Sequence, residues 1–319
     1  MKILRTPDDA IDALDNYPSE HRWLEIPAGD GQRLRVHVVD ANTESSSVVV
    51  LLHGNPSWSY LWRHQIGPLV AAGYRVVAPD LVGMGMSDKP SSLEDYTVDR
   101  HVEWMRALLI DELGLIDVDF VMHDWGGIIG MRLAAENPGL TNRMVISNTA
   151  LPDRDPAEPL PEKIEVEGPH AEFQKMARDA PVWEPWGLLP LVTVVEPTAD
   201  VVEGYRAPYP DQSLTIGSRA FTQLLPTRLD NPMYPANHEA WKILERWTNP
   251  VLTIFSDKDI VAPSGWKPIV RRIPGAQGQP HVILEGGGHF LQEDIPEAYN
   301  RALLEWLGPA PAPSGGSPR

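Results

Sequence analysis

The chain has 319 residues, no cysteine and a formal net charge of −17 at pH 7, with 42% hydrophobic and 22% charged residues. This composition is that of a globular protein, and the length suits one large α/β domain or two ordinary ones. The absence of cysteine excludes disulfides, thiolate metal ligands and a cysteine nucleophile, and the acidity argues against nucleic acid or an anionic membrane as a partner.

The N-terminal sequence does not resemble a targeting segment. The stretch MKILRTPDDAIDALD turns acidic before it contains an apolar core long enough for a signal peptide. No apolar stretch in the chain approaches the roughly 18 residues that a membrane helix needs. We therefore expect a cytoplasmic, soluble protein.

Strand patterns alternate with helical patterns along most of the chain. In chain order the strand patterns are LRVHVVDA, SVVVLLHG, YRVVAPD, VDFVMHD, RMVISNTA, VLTIFSD and HVILEGG. A helix is predicted from the apolar spacing of Val98, Val102, Met105, Leu109 and Leu113. Another is predicted over 126–136, and a last one begins near Pro296 with Asp294 as its N-cap. This alternation predicts βαβ crossovers and a mostly parallel sheet.

The pattern changes between about Leu151 and Leu229, where prolines are frequent and strand patterns vanish. We interpret residues 151–229 as a mostly helical cap inserted into one α/β core made of residues 1–150 and 230–309. Such a cap lies over the carboxyl edge of the sheet, where open α/β sheets bind ligands. Residues 310–319 are rich in Pro, Gly and Ser and are predicted to be a disordered tail.

Three candidate catalytic residues each follow a predicted strand. They are Asp124 in HDWGG, Asp259 after VLTIFSD and His289 after HVILEGGG. Their order of nucleophile, acid and histidine is that of the α/β-hydrolase arrangement. The turn at Asp124 has Gly126 and Gly127 on its helix side, but Met122 stands where the Gly-x-Ser-x-Gly pattern begins with glycine.

Six segments together resemble the haloalkane dehalogenases of the α/β-hydrolase fold, over roughly Trp23 to Leu307. They are HGNPSWSYLWR, PDLVGMGMSDKP, HDWGG, FSDKDIVAP, IPGAQGQPH and GGGHFLQED. The pair HGNP and HDWGG is fairly specific to dehalogenases, whereas HDWG alone is shared with epoxide hydrolases. The resemblance implies a mostly parallel eight-stranded sheet flanked by helices, with an inserted helical cap.

The resemblance also implies residue roles. Asp124 is the nucleophile, His289 the general base, and Asp259 the acid that orients the histidine. Asp257 competes for the acid role, but the acid of the family stands two residues further from the strand and four before a proline, here Pro263. Some members carry a catalytic Glu at the position of Asn148, and the Asn found here leaves Asp259 as the acid.

The halide is expected to lie between Trp125 and a second donor, for which two candidates remain. One branch of the family uses a cap tryptophan, and spacing in AEFQKMARDAP places that position nearest Met176, with Trp183 and Trp186 close by. The same branch tends to have Glu where this chain has Asn55. We therefore expect an Asn55–Trp125 pair, and the resemblance also implies that the backbone N–H groups of these two residues face the oxyanion of the ester. Substrate-pocket candidates from the cap are Phe221, Met176 and Trp183.

The implied reaction hydrolyses a haloalkane to an alcohol, a halide and a proton through an ester on Asp124. A carboxylate suits this chemistry because a saturated carbon offers no carbonyl for a serine to attack. The expected partners are a small halogenated hydrocarbon and water, with no cofactor, in a monomer or small homo-oligomer. No metal is expected, since the histidines show no recognised ligand spacing with carboxylates.

Two alternative functions remain open. An epoxide hydrolase shares Asp124, His289 and Asp259 but needs two cap tyrosines to protonate the epoxide oxygen. The candidates are Tyr205, Tyr209 and Tyr234. A non-catalytic ligand-binding protein of the same fold is the other alternative, and such proteins often lose a member of the triad.

Overall fold

An eight-stranded sheet forms the centre of residues 1–18, 20–29 and 31–311, the part of the chain that the computed structural model describes. The strands are β1 (Ile3–Leu4), β2 (His21–Gly29), β3 (Gln32–Ala41), β4 (Val48–Leu52), β5 (Arg75–Pro79), β6 (Lys89–Pro90), β7 (Val118–His123), β8 (Thr141–Ser147), β9 (Val251–Ser256) and β10 (Val282–Leu284). The order in the central sheet is β10-β9-β8-β7-β4-β5-β3-β2, while β1 pairs with β6. The β2–β3 and β3–β5 pairs are antiparallel and the other central pairs are parallel, which confirms the predicted sheet.

Helices flank this sheet. They are α1 (Arg63–Ala71), α2 (Val98–Arg106), α3 (Trp125–Glu136), α4 (Pro169–Asp179), α5 (Leu189–Val192), α6 (Ala199–Arg206), α7 (Ile216–Gln223), α8 (Met233–Leu244), α9 (Trp266–Arg272), α10 (Leu291–Asp294) and α11 (Pro296–Leu307). Short 3-10 turns lie at Asp8–Ile11, Ser59–Trp62, Leu93–Asp95, Pro185–Leu188, Gln212–Thr215 and Pro274–Ala276. A π-helical stretch, Ala107–Glu112, continues α2, so the helix predicted across 98–113 is confirmed. No described helix is both long and apolar enough to cross a membrane.

The central strands are apolar on both faces, and each face packs on its own core. In β4, Val48, Val50 and Leu52 belong to one buried cluster, and Val49 and Leu51 belong to the other. Alternate side chains of a strand point to opposite faces, so an unbroken apolar run fits a strand covered by helices on both sides. The carboxyl ends of β4, β7 and β9 therefore meet at one edge, where the predicted catalytic loops begin.

A strand of the central sheet and the start of the last helix differ from the sequence prediction. Strand β2 was not predicted, because most of its side chains are exposed or half-buried and it has no continuous apolar run. The predicted N-cap role of Asp294 is wrong, since α11 begins after Ile295. The Asp294 carboxylate instead accepts backbone N–H groups from Val194, Val195 and Gly288.

The segment between β8 and α8 is helical, containing α4 to α7, as the cap prediction requires. Its division from the core at residues 151 and 229 remains our proposal. Most of the predicted tail, residues 312–319, lies outside the described residues. Ala310, the first residue of the predicted tail, donates its N–H to the carbonyl of Ala72.

Candidate active site

Asp124 occupies a sharp turn between β7 and α3. Its backbone has φ 51° and ψ −125°, a conformation that costs free energy for a residue with a side chain. The helix that follows lies close to the neighbouring strand, since a Cβ at Gly126 would come within 2.3 Å of the carbonyl oxygen of Leu52. The turn therefore projects the Asp124 side chain from the carboxyl edge of the sheet.

The loop after β4 meets the carboxylate of Asp124. The backbone N–H of Asn55 donates to Oδ1 of Asp124 at 2.8 Å. Gly54 permits this approach, because a Cβ there would lie 2.1 Å from the same oxygen. Although burial raises it, the pKa of Asp124 is held below its ordinary value by His289, His123 and the Asn55 N–H. The carboxylate is therefore ionised at neutral pH.

His289 lies between two carboxylates. Its Nδ1 is 2.9 Å from Oδ1 of Asp259, and its Nε2 is 3.3 Å from Oδ2 of Asp124, which is ion-pair distance without the alignment of a hydrogen bond. Burial lowers the pKa of His289, but the two carboxylates outweigh this effect and raise it to about 9. Asp257 does not reach the histidine, since its Oδ1 accepts the N–H of Gly286.

The backbone around His289 is held by buried polar side chains that the sequence did not reveal as site residues. The Nδ2 of Asn148 donates to the carbonyls of Gly288 and His289 at 3.0 and 2.9 Å. The Nε2 of His123 lies 2.8 Å from the carbonyl of His289. Asn148 thus binds the histidine loop from the position where some family members carry an acid.

A cavity of about 170 Å³ lies over these residues. Its polar base is formed by Asn55, Asp124 and His289. The other lining residues are Pro56, Pro169, His170, Phe173, Leu188, Leu191, Val192, Leu225, Ile260 and Val261. Ile260 is 70% exposed and Leu191 is 58% exposed, so they mark its opening. An almost wholly apolar wall with a charged base suits a small apolar molecule that carries one reactive group.

The two expected halide donors are placed differently. Asn55 lines the cavity, and its Nδ2 has no hydrogen-bond partner among the described residues. Trp125 follows Asp124 directly, and its indole N–H is likewise without a partner in the described chain. The Trp125 ring is buried 5.3 Å from the ring of Phe221 and is not part of the cavity lining.

The three predicted cap contacts do not line the cavity. Phe221 is fully buried between the rings of Trp125 and His101, and Trp183 donates its indole N–H to Ser218. Met176 is 47% exposed. One turn earlier on α4, Phe173 faces the cavity instead, and a single helical turn is the uncertainty that sequence spacing leaves.

Metal binding finds no support in residues 1–18, 20–29 and 31–311. Within those ranges, no three His, Asp or Glu side chains are grouped so that they could hold a metal ion. Of the polar groups at the cavity base, His289 instead lies between the carboxylate of Asp124 and that of Asp259 behind it.

Comparison with known proteins assigns the family. A model of the α/β hydrolase fold matches residues 47–184. A haloalkane dehalogenase of Psychrobacter cryohalolentis is 41% identical over 309 residues, covering 96% of this chain and 98% of the relative. A cis-3-alkyl-4-alkyloxetan-2-one decarboxylase of Xanthomonas campestris is 32% identical and covers 84% of this chain and 91% of that relative.

A solved structure agrees with these relatives. The tetrameric haloalkane dehalogenase of Paraglaciecola agarilytica superposes with a TM-score of 0.80 at 26% identity, covering 96% of this chain and 97% of that one. The agreement extends over nearly the whole length of both proteins, so it includes the helical segment between β8 and α8. The chain belongs to the haloalkane dehalogenase family of the α/β-hydrolase fold.

Proposed function

We propose that this protein hydrolyses the carbon–halogen bond of a small haloalkane to an alcohol, a halide ion and a proton. One observation carries the proposal: the ionised carboxylate of Asp124 lies at the base of an apolar cavity, 3.3 Å from Nε2 of His289. An apolar substrate with an electrophilic saturated carbon fits such a cavity, and the carboxylate needs no base to activate it.

In the first step, an oxygen of Asp124 attacks the carbon that bears the halogen. The carbon–oxygen bond forms as the carbon–halogen bond breaks, and the bonding electrons leave with the halide. The product is an alkyl ester on Asp124. A halide ion in a dry cavity needs hydrogen-bond donors, and we assign this role to the Asn55 amide and the Trp125 indole.

In the second step, water attacks the carbonyl carbon of the ester. His289 takes the proton from water, and Asp259 stabilises the resulting imidazolium. The negative charge that develops on the Asp124 carbonyl oxygen faces the N–H of Asn55, and one such donor is typically worth about 3–4 kcal/mol. Collapse of the intermediate releases the alcohol and a proton and restores the carboxylate.

The proposal is tested by measuring halide release from short bromoalkanes. We expect release by the natural enzyme and none by Asp124→Ala. His289→Gln should release about one halide per enzyme and then stop, with the protein heavier by one alkyl group, because the ester forms but is not hydrolysed. A natural enzyme that releases no halide from any bromoalkane or chloroalkane tested would overturn the proposal.

The same screen separates the alternatives. An epoxide hydrolase forms a diol from an epoxide, but the hydroxyl of Tyr205 donates to Glu293 and that of Tyr209 accepts from Gly85. Neither of these tyrosines, nor Tyr234, lines the cavity. An oxetanone belongs in the screen because one relative is named for its decarboxylation. Diol or carbon dioxide formed faster than halide would replace the proposed activity.

The second halide donor has its own test. Bromide and iodide should quench tryptophan fluorescence, and Asn55→Ala should weaken the apparent affinity about tenfold, as expected for a lost hydrogen bond to an anion. Trp183→Phe is the matched control for a cap tryptophan and should leave the affinity unchanged, since its indole N–H already binds Ser218. Equal quenching of Asn55→Ala and the natural enzyme would refute the Asn55 assignment.

Two expectations about the surroundings of the enzyme belong to the same proposal. We keep the cytoplasm as its location and a monomer or small homo-oligomer as its assembly. The relative from Paraglaciecola agarilytica is tetrameric, so the mass of this protein in solution decides between those states.

A further inference from the structure

We propose that Asp294 is a positioning residue for the hydrolysis step, because it holds residues 192–195 against the loop that carries His289. We call residues 192–195 the strap. The inference rests on the proposed dehalogenase function, and its test includes a measurement that needs no turnover.

The carboxylate of Asp294 binds the strap and the histidine loop at the same time. Its Oδ1 accepts the N–H groups of Val194 at 2.9 Å and Val195 at 2.8 Å. Its Oδ2 accepts the N–H of Gly288 at 2.7 Å and also lies 3.0 Å from the nitrogen of Val194. One side chain therefore fixes two backbone segments that are far apart in the sequence.

The histidine loop depends on such backbone contacts, since residues 286–288 are all glycine. The strap lies so close to this loop that a Cβ at Gly288 would be 2.9 Å from the carbonyl oxygen of Val192. The same carbonyl accepts the N–H of Phe290 at 2.8 Å. Both neighbours of His289 are thus tied to the strap, one directly and one through Asp294.

These contacts complete a two-sided support. Asn148 and His123 bind the carbonyl groups of the histidine loop from within the core. Asp294 accepts the N–H of Gly288, and the carbonyl of Val192 accepts the N–H of Phe290. Without Asp294 the loop keeps its core contacts and the direct bond from Phe290 to Val192 but loses the link through Gly288, so its position is loosened while the fold is retained.

The strap also reaches the substrate cavity. Val192 is part of the cavity wall, and Leu191, the residue before the strap, lies at the opening. The segment that contacts the substrate is therefore the one that supports the loop of the general base. Formation of the ester requires Asp124 but not His289, whereas hydrolysis of the ester requires both. Loss of Asp294 should accordingly slow hydrolysis and spare alkylation.

The test is rapid-quench kinetics on Asp294→Asn and Asp294→Ala with a bromoalkane. An amide keeps the size of the side chain but replaces one acceptor oxygen with a donor, so it can serve the strap or Gly288 but not both. We expect hydrolysis of the ester to slow by about tenfold or more, with halide burst rates close to natural, since a placed general base is worth roughly 10²–10⁴-fold. Intact-protein mass should show the ester accumulating.

Glu297→Gln is the control, since it removes a nearby acidic charge that is exposed on the first turn of α11. Glu297→Gln should show the same ratio of alkylation rate to ester-hydrolysis rate as the natural enzyme. If the Asp294 variants slow alkylation and hydrolysis equally, Asp294 has only a general structural role and the proposal is wrong.

Amide hydrogen exchange supplies the measurement that is independent of activity. Asp294→Asn should raise exchange in residues 192–195 and 286–290 together, and Glu297→Gln should raise neither. If the natural enzyme released no halide, the proposed function would fail. Faster exchange in both segments of Asp294→Asn would still support Asp294 as the link between them in that case. Unchanged exchange in either segment would overturn the inference.

Discussion

At the scale of single residues, the pKa of His289 changes during the proposed reaction. In the free enzyme, Asp124 and Asp259 both raise the pKa of His289, to about 9. A protonated imidazole cannot take a proton from water. Alkylation turns the Asp124 carboxylate into a neutral ester, which removes one of the two charges that keep the proton on His289. Formation of the ester therefore lowers the pKa of the base that the next step needs.

This sequence of charges predicts different pH dependences for the two steps. Hydrolysis of the ester should speed up as pH rises and level off at an apparent pKa below the value of about 9 that applies to the free enzyme. Alkylation should be flat between about pH 6 and 8, because Asp124 has a lowered pKa and stays ionised while His289 keeps its proton. Rapid-quench measurements of halide and alcohol across this range check both steps.

Asp259→Asn refines the same experiment. It removes the second carboxylate, so the apparent pKa for hydrolysis should move lower still, while the maximal rate falls because the imidazolium loses its partner. The proposal that ester formation lowers the pKa of His289 is contradicted by a hydrolysis midpoint at or above the pKa of His289 in the free enzyme. It is also contradicted by an alkylation rate that depends on pH in the same way as hydrolysis.

At the scale of elements, the turn at Asp124 shows how the chain accommodates an unusual residue. Met122 stands where the common elbow pattern has glycine, and it is fully buried. Space for it comes from Gly130 on α3, where a Cβ would lie 2.1 Å from Sδ of Met122. The small residue that makes room is therefore Gly130 on α3, not the strand residue at position 122. The turn at Asp124 stays sharp although the larger side chain of Met122 lies beneath it.

The strands and the catalytic turn were predictable because their signals are local. A mostly apolar strand such as β7, with Asp124 directly after it and then Gly126 and Gly127, encodes both the strand and its end. The order of Asp124, Asp259 and His289 then suffices to bring the three to one edge, because parallel strands share that edge.

The sequence predictions that were wrong concern residues whose roles depend on contacts between distant segments. The pocket candidate Met176 does not line the cavity, whereas Phe173, one turn earlier on α4, does, because the amphipathic pattern of α4 does not say which of its residues meet the cavity. Asp294 carries the local signature of a helix cap, but its three N–H donors come from the strap and from Gly288. No sequence pattern within the strap or the histidine loop predicts that Asp294 contacts both.

At the scale of the whole molecule, a buried ion pair joins three parts of the chain. Both terminal nitrogens of the Arg63 guanidinium, at the start of α1, bind the carboxylate of Glu293 on α10, at 2.5 and 2.7 Å. The hydroxyl of Tyr205, on α6 in the proposed cap, donates to the same carboxylate at 2.6 Å. The Arg63 and Glu293 side chains are only 2% and 8% exposed, so solvent hardly screens the pair.

Glu293→Gln leaves the guanidinium of Arg63 charged, buried and without its carboxylate. Removing one partner of a buried pair typically costs about 3–5 kcal/mol, so we expect a loss of that order in the free energy of unfolding, measured with urea at neutral pH. The exposed pair of Lys163 and Glu167 is the control, and Glu167→Gln should cause no measurable change.

The double variant Arg63→Met, Glu293→Leu separates the charge from the packing. With both charges gone, no ion is left unpaired in the interior, so the double variant should be more stable than Glu293→Gln alone. Recovery of this kind would show that the penalty comes from an orphaned charge. A double variant as unstable as Glu293→Gln would instead show that the stabilisation comes from the way the Glu293 carboxylate connects α1, α10 and α6. Loss of the carboxylate would then weaken the contact between the core and the cap, and an unpaired charge would not be the cause.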